Sequence, residues 1–443
     1  MVPQRIHDRL GKHRWFVMGL TPLVLGLVLF ILASPVGAED GPDPIFIKPQ
    51  VLSMEELSKY ETTGVSSVEV NDYAPGKYQG AMSPSPPHAD MNARKAVVVF
   101  WKDQPQKFIF CHEASYCPIL ELPNGAGMCN QFFEGNIQGS PEKHTGSAEL
   151  FNINGRKERN SFVDVIQSGP ERVWVRWNYF AVNKEDDTHP RLRATEDYFA
   201  YPNGLVLRRM TYTSMMPDRY FGYSQQPIEL FGVGPVGKPI EELFPRDPEH
   251  GDCLTLVAMD VYSDQKYEIY WGPENSVRRR GDDATLAAIS QSPGRALVLP
   301  FKDKLLFAIF GEASGFPAQR SVLVDHCTPG VKSGCEWRQG LWDHWPIGWR
   351  NSQASNWKPD SPYPYSFGSI GQFFVPEGKP YTAFVKDYFG NAKDMELNHW
   401  SERRVFYVLL GAADSWAAIR RIGQGWLDQA ADCAKPESIS HLQ

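Results

Sequence analysis

The amino-acid sequence predicts an all-β protein: a large antiparallel β-sandwich with one C-terminal amphipathic helix. Three observations lead there. Aromatic residues make up 13% of the 443 residues and are accompanied by 37 Gly and 35 Pro, the composition of many short strands joined by turns. Apolar and polar residues alternate with period two in segment after segment between Ala96 and Leu410, as half-buried strands require. A clear helical period occurs near the C-terminus, over Ser415 to Ala430, where Trp416, Ile419, Ile422, Trp426 and Leu427 fall on one face and Ser415 can cap the start.

At the N-terminus, Arg5, Arg9, Lys12 and Arg14 precede an apolar run from Trp15 to Ala33, and Pro35-Val36-Gly37-Ala38 follows with small residues. This is the layout of an export signal cleaved after Ala38; the run also approaches the length of a single membrane anchor. Residues 1–38 are therefore read as signal peptide or N-terminal anchor, and the remainder as secreted or periplasmic. Removing them takes away four of the 45 Lys/Arg and one of the 52 Asp/Glu, which leaves a net charge near −10. Such a balance argues against a nucleic-acid partner.

Residues 39–92 are rich in Pro, Ser and Gly and read as an extended lead-in without a compact core, apart from a short helix over Met54–Tyr60. The sandwich is expected over 93–412. Its first strands are Ala96–Trp101 and Lys107–Phe110, followed by a tight turn where Gly125 and Gly127 flank Ala126. Glu171–Val182 alternates most cleanly. Val173, Val175, Trp177, Tyr179 and Ala181 form a core face, and Trp174, Arg176, Asn178 and Phe180 a partly wet one. Arg193–Tyr201 and Leu205–Thr213 flank Pro202-Asn203-Gly204, a hairpin signal. Further strands are expected at 254–261, 266–271, 295–301, 305–310, 320–326, 371–375, 381–386 and 404–410. Residues 413–443 hold the helix and a tail.

All seven cysteines follow residue 38, which suits an oxidising compartment. Cys111 with Cys117, and Cys327 with Cys335, are close enough in sequence to close small loops, although spacing alone leaves the connectivity open. No C-x-x-C occurs, so zinc is not expected. Asp186-Asp187 with His189 reads as a solvated turn rather than a calcium loop. No cofactor and no metal is assigned.

The motifs N-G-A-G-M-C-N-Q-F-F-E-G (124–135), V-W-V-R-W-N-Y-F-A-V (173–182) and T-E-D-Y-F-A-Y-P-N-G-L-V-L-R-R (195–209), with D-H-W-P-I-G-W (343–349), resemble a pattern in secreted proteins of polysaccharide-degrading bacteria. The resemblance covers roughly 96–410. It implies a supersandwich like that of galactose mutarotases and of the β-domain of polysaccharide lyases. The helices of the α-toroid that precedes the sandwich in many lyases are missing here.

Trp337 to Gly368 carries five of the thirteen tryptophans, with Asp343, His344, Arg350, Asn351, Gln353 and Asn356 between them and prolines breaking any period. It reads as a long functional loop. Indole faces stack on the C–H edges of sugar rings, while planar polar groups bind hydroxyls; packing against the core is the alternative. A polysaccharide is the expected substrate or ligand, with β-elimination on an acidic glycan preferred. Elimination needs the uronate carboxylate neutralised and a proton moved. Arg176, Arg219 and Arg350 are the candidate neutralisers, and His344, Tyr220 and Tyr223 the candidate acids and bases. Asn130, Gln131 and His112 are candidate helpers, and Trp345 and Trp349 candidate platforms. Arg176 has a structural alternative, an ion pair with Glu196 or Asp197. A hydrolase would need two carboxyl groups instead, from Glu134, Glu196, Asp197 and Asp343. A non-catalytic binding protein or a structural envelope protein is the remaining class.

Overall fold

Period-two alternation is realised as strand along most of the described chain. The computed structural model describes residues 51–52, 64–71, 73, 95–111, 116–130, 134–137, 147–149, 161–183, 190–214, 221–235, 238–272, 277–314, 319–325, 341–342, 365–376 and 404–429, some of them in backbone only. In chain order the strands begin with β1 (Val51–Leu52), β2 (Val65–Val70), β3 (Ala96–Trp101), β4 (Lys107–Cys111), β5 (Pro118–Glu121), β6 (Gly127–Asn130), β7 (Glu134–Ile137) and β8 (Ser147–Glu149). The long strands β9 (Ser161–Gly169), β10 (Arg172–Asn183), β11 (Pro190–Ala200), β12 (Val206–Ser214) and β13 (Phe221–Gly234) follow. Next come helix α1 (Ile240–Leu243), β14 (Cys253–Asp260), β15 (Lys266–Trp271), β16 (Val277–Arg280) and helix α2 (Asp283–Gln291). The chain continues with β17 (Arg295–Pro300), β18 (Leu305–Ser314), β19 (Gln319–Asp325), β20 (Leu341–Trp342), β21 (Tyr365–Pro376), β22 (Arg404–Ala413) and helix α3 (Trp416–Asp428).

These strands form two antiparallel sheets. The first runs β9-β10-β11-β12-β22-β18-β17-β14-β15-β16. The second runs β1-β2-β3-β4-β5-β6-β13-β21, with β19 and β20 on the far side of β21. Only the β1–β2 pair is parallel among the described strands. The pair β7–β8 joins the sheets, since β7 lies beside the N-terminal half of β13 and β8 beside the end of β10. The expected antiparallel sandwich with a C-terminal helix is thus the fold.

The core lies between the sheets. Val173, Val175, Trp177 and Tyr179 of β10 are each at most 1% exposed, whereas Trp174, Arg176, Asn178 and Phe180 are half-buried on the opposite face. Tyr198 of the first sheet meets Phe108 and Phe110 of the second, with ring centroids 5.3 and 5.1 Å apart. The β11–β12 hairpin turns at the Asn-Gly pair. Gly204 has φ 83°, and the Asn203 side chain accepts from the Leu205 amide at 3.2 Å. Gly125, at φ 84°, makes the turn expected between β5 and β6.

Helix α3 covers part of the first sheet's outer face. Ser415 caps it by accepting from the Ala418 amide at 3.2 Å, and Ile419 and Trp426 are buried with Leu409, Ile309 and Val261 beneath. The approach is close because two glycines allow it. A Cβ on Gly423 would stand 2.8 Å from Val261, and one on Gly311 would stand 2.9 Å from Trp426.

Three expectations need correction. Val65–Val70 lies inside the segment read as a coreless lead-in, yet it forms β2, with Val65, Val68 and Val70 at most 1% exposed. Its spacing of valines is irregular, but β-branched residues bury well wherever a sheet offers an edge. Met216–Tyr223, after the hairpin, reads by its sequence as a rim loop, but Phe221–Tyr223 opens β13. The long loop expected over Trp337–Gly368 contains β20, and its last four residues begin β21. Backbone pairing with β21 and β13 supplies there the hydrogen bonds that a loop would leave to water. The expected strand 381–386 and the helix over Met54–Tyr60 lie outside the described residues.

Candidate functional site

Strand β11 places two consecutive carboxylates on opposite faces of the first sheet, and they have different work. Glu196 points into the core. It accepts from Arg208 at 2.8 Å on each carboxylate oxygen, from the Tyr179 hydroxyl at 2.7 Å and from the Tyr198 hydroxyl at 2.5 Å. Neither Glu196 nor Arg208 has any side-chain exposure. Burial pushes Arg208 towards its neutral form, but the Glu196 charge outweighs that and holds it protonated. Burial raises the Tyr198 and Tyr212 hydroxyls well above their ordinary value, so both stay neutral. A carboxylate sealed in this way cannot flank a glycosidic bond. Glu196 is a structural centre, not the hydrolase acid that the sequence allows.

Asp197 points outward and is itself 1% exposed. Arg176 Nε donates to it at 2.7 Å, Arg209 at 2.6 Å and the Trp174 indole N–H at 2.7 Å. Burial raises the carboxyl, and these hydrogen bonds outweigh it, so Asp197 titrates below the ordinary carboxylate range. The guanidiniums stack as well: Arg176 lies 5.1 Å from the Trp174 ring centre and Arg209 5.4 Å from that of Phe199. One carboxylate thus holds two arginines that remain about a third exposed, at 33% and 27%. The cluster carries a net charge of +1 on an otherwise acidic protein.

The register extends this surface. Beside Arg176 come Asn178, bonded to the Thr195 hydroxyl at 2.8 Å, and then Phe180. Phe162 of β9 stands opposite Asn178 and is 57% exposed, one of two large hydrophobic side chains so exposed among the described residues. The row from Trp174 to Phe180 is about 20 Å long at the rise of an extended strand. It is half-exposed, and it sets two planar polar side chains, Arg176 and Asn178, between the aromatic Trp174 and Phe180. No described element covers it, because α3 lies over β18 and β22.

The Arg176 reading is therefore revised. Its neighbour is Asp197, as the structural alternative had it, but the pairing leaves the guanidinium at the surface. Asn130 ends β6 at 2% exposure, opposite Leu230, and neither side-chain polar atom has a hydrogen-bond partner among the described residues. Buried within the sandwich, it does not join the outer surface. Glu134 opens β7 opposite Gln226, and Tyr223 lies in β13; for both, the backbone alone is described. His344, Tyr220, Arg219, Gln131, His112, Trp345, Trp349 and Arg350 lie outside the described residues. Phe162 and Arg209 were missed by sequence reading. The alternation of Phe162 and Asp164 with Val163 and Val165 was the signal for the first; for the second it was the hairpin register about Asn203-Gly204, which sets Arg209 opposite Asp197.

A second polar cluster surrounds Asp247. Its carboxylate accepts from Arg278 and from the Glu249 amide at 3.0 Å, and it faces His250 Nδ1 at 3.3 Å. The Glu249 amide and then Arg278 hold this carboxyl below its ordinary range. Asp247, Glu249 and His250 are spaced closely enough for a cation, but Arg278 and Arg280 already occupy the Asp247 carboxylate. Arg278 also bonds Asp252 at 2.6 Å and lies 4.2 Å from the Tyr270 ring centre. Arg278 and Arg280 are thus tied into an ion-pair network with Asp247, Asp252 and Glu268.

Cys111 and Cys117, close in sequence, lie in different buried clusters. Cys111 packs with Val68, Val98 and Tyr73, whereas Cys117 belongs to the core cluster that holds Cys129.

No family model matches the chain, and no curated protein matches it. Solved structures with a similar arrangement include a galactose 1-epimerase from Lactobacillus acidophilus NCFM, at 10% identity and TM-score 0.32, over 79% of this chain and 99% of that one. A GalM/aldose epimerase homologue from C. elegans has 9% identity and TM-score 0.27, over 70% and 96%. A copper-containing benzylamine oxidase from Hansenula polymorpha has 8% identity and TM-score 0.28, over 84% and 63%. Fold does not carry function.

Proposed function

We propose that this protein recognises an acidic polysaccharide outside the cytoplasm, across the outer face of β9–β12. The observation that carries the reading is the Arg176–Asp197–Arg209 cluster set among Trp174, Phe180 and the exposed Phe162. Aromatic faces accept the C–H sides of sugar rings. A guanidinium pairs with a uronate carboxylate in a fork geometry that ammonium cannot copy. Exposed ion pairs are weak, about 0.2–1 kcal/mol each. Useful affinity therefore requires several sugar units along the row, which suits a polymer better than a monosaccharide.

Elimination remains the reaction class favoured by the sequence, with Tyr220, Tyr223 and His344 as proton-transfer candidates. Hydrolysis loses two of its carboxyl candidates, since Glu196 and Asp197 are both committed to arginine. The test incubates the full chain with uronate-bearing and neutral polysaccharides and follows both retention and products. Retention of the acidic polymers, weakened about tenfold by Phe162→Ala, is expected; that factor corresponds to about 1.4 kcal/mol. Equal retention of neutral polymers, or an unchanged Phe162→Ala, defeats the proposal. Ultraviolet absorbance from unsaturated ends would add elimination to binding.

A further inference from the structure

We infer that Cys117 and Cys129 are joined by a disulfide in the exported protein, a link that pins β5 to β6. The two sulfurs lie 3.6 Å apart, both fully buried. The strands are hydrogen-bonded neighbours, with Ile119 opposite Cys129. A disulfide needs about 2.05 Å between sulfurs, so closure asks for roughly 1.5 Å of travel. Cys117, although fully buried, is placed for its backbone to supply it. It precedes β5, outside the ladder, and follows Tyr116, whose φ of 67° marks a sharp change of direction.

Cys111 lies in a separate buried cluster, and Cys253 begins β14. The spacing of Cys117 and Cys129 in sequence does not single them out, and the β5–β6 turn at Gly125 is what brings them together.

The chemistry balances through thiol–disulfide exchange with an oxidised dithiol catalyst. One cysteine thiolate attacks the catalyst's disulfide and releases a catalyst thiolate. The second cysteine thiolate then attacks the mixed disulfide, closes the Cys117–Cys129 bond and releases the other catalyst thiolate. Two cysteine protons end on the catalyst, which leaves as the dithiol carrying both electrons. Burial, and then the Cys117 neighbour, raise the Cys129 thiol well above its ordinary value. Both sulfurs are sealed once the sheets close, so exchange belongs to folding, before the sandwich forms.

The inference stands apart from the glycan proposal and is tested without glycan. The full chain is produced in an exporting host, unfolded without reductant, and its free thiols are alkylated. Cleavage after Glu113, Glu121 and Glu134 then puts Cys111, Cys117 and Cys129 on three different peptides. The expected product is the 114–121 peptide linked to 122–134, two hydrogens lighter than the sum of the two thiol peptides. In native buffer, dithiothreitol should leave the link intact, whereas in urea it should cleave it. Chain purified from a reducing cytosol should carry both thiols free and melt several degrees lower. Alkylated Cys117 and Cys129 in the exported protein, or either one linked to a different cysteine, overturns the inference. Cys117→Ser supplies the control: it should abolish the linked peptide and bring the melting temperature close to that of the reduced chain.

Discussion

Arg208 and Glu196 grip each other through two parallel hydrogen bonds of 2.8 Å, with neither side chain reaching solvent. Both arise on adjacent strands of one hairpin, and two tyrosine hydroxyls complete the carboxylate's shell. Removing one member leaves a buried charge without its counterion. Arg208→Met should therefore cost about 3–5 kcal/mol of stability. The double change Arg208→Met with Glu196→Leu should recover most of it, because an apolar pair needs no counterion. Urea denaturation of the two variants checks this; equal losses would mean that the ion pair is not the cause.

Asp197 gives a pH dependence with a definite sign. Its folded pKa lies below the ordinary value of about 3.9. Its contribution is therefore fully present above about pH 4 and is lost as pH falls through the folded pKa. Asp197→Asn should be less stable than the parent at pH 7, and the gap should narrow below about pH 4. Stability curves at pH 7, 4 and 3 measure it, and a gap that widens in acid would refute the assignment.

Arg209 should matter to ligand more than to fold. It is 27% exposed and stacked on Phe199. Arg209→Gln should weaken retention of an acidic polymer several-fold and flatten its dependence on salt, since screened exposed charges are what salt removes. Parallel retention series at low and high ionic strength provide the check. Neutral polymers should show no change.

Trp426 anchors α3 and is 1% exposed. Trp426→Ala should cost about 3–5 kcal/mol. The helix should loosen from the outer sheet face, seen as faster amide exchange over 416–428 than over β10 or β11.

Gly64 stands at φ 72°, and a Cβ there would lie 2.1 Å from the Pro170 carbonyl oxygen. That oxygen accepts from the Val65 amide, which ties β2 to the β9–β10 turn. Gly64→Ala should destabilise the fold by more than 1 kcal/mol, because left-handed backbone strain of about that size adds to a clash with rigid backbone. A thermal melt suffices to see it.

Much of the fold was legible along the chain. Ala96–Trp101 and Lys266–Trp271 begin and end where the sequence reading sets them, and α3 begins at its Ser415 cap. These segments carry their own signal: a period, a cap, a turn residue. Strands β2, β5, β6 and β9 carry less. They are short or irregular in pattern, and partners distant in sequence make them strands. The two faces of β10 were readable for the same reason as its existence, whereas the Arg176 partner was readable only as far as Glu196 or Asp197, because the choice between them depends on which face each carboxylate takes.

The sequence by itself determined that the protein is an antiparallel β-sandwich with one amphipathic helix, and which side of β10 is wet. Hydrophobic period is a local property, so one chain segment suffices to express it. Only the tertiary structure decided that adjacent Glu196 and Asp197 take opposite roles, one sealed with Arg208 and the other holding two surface arginines. It also decided that Cys117 meets Cys129 rather than Cys111. Those outcomes depend on strand register and on the distance between residues brought together from separate stretches, and neither quantity is encoded in any single segment.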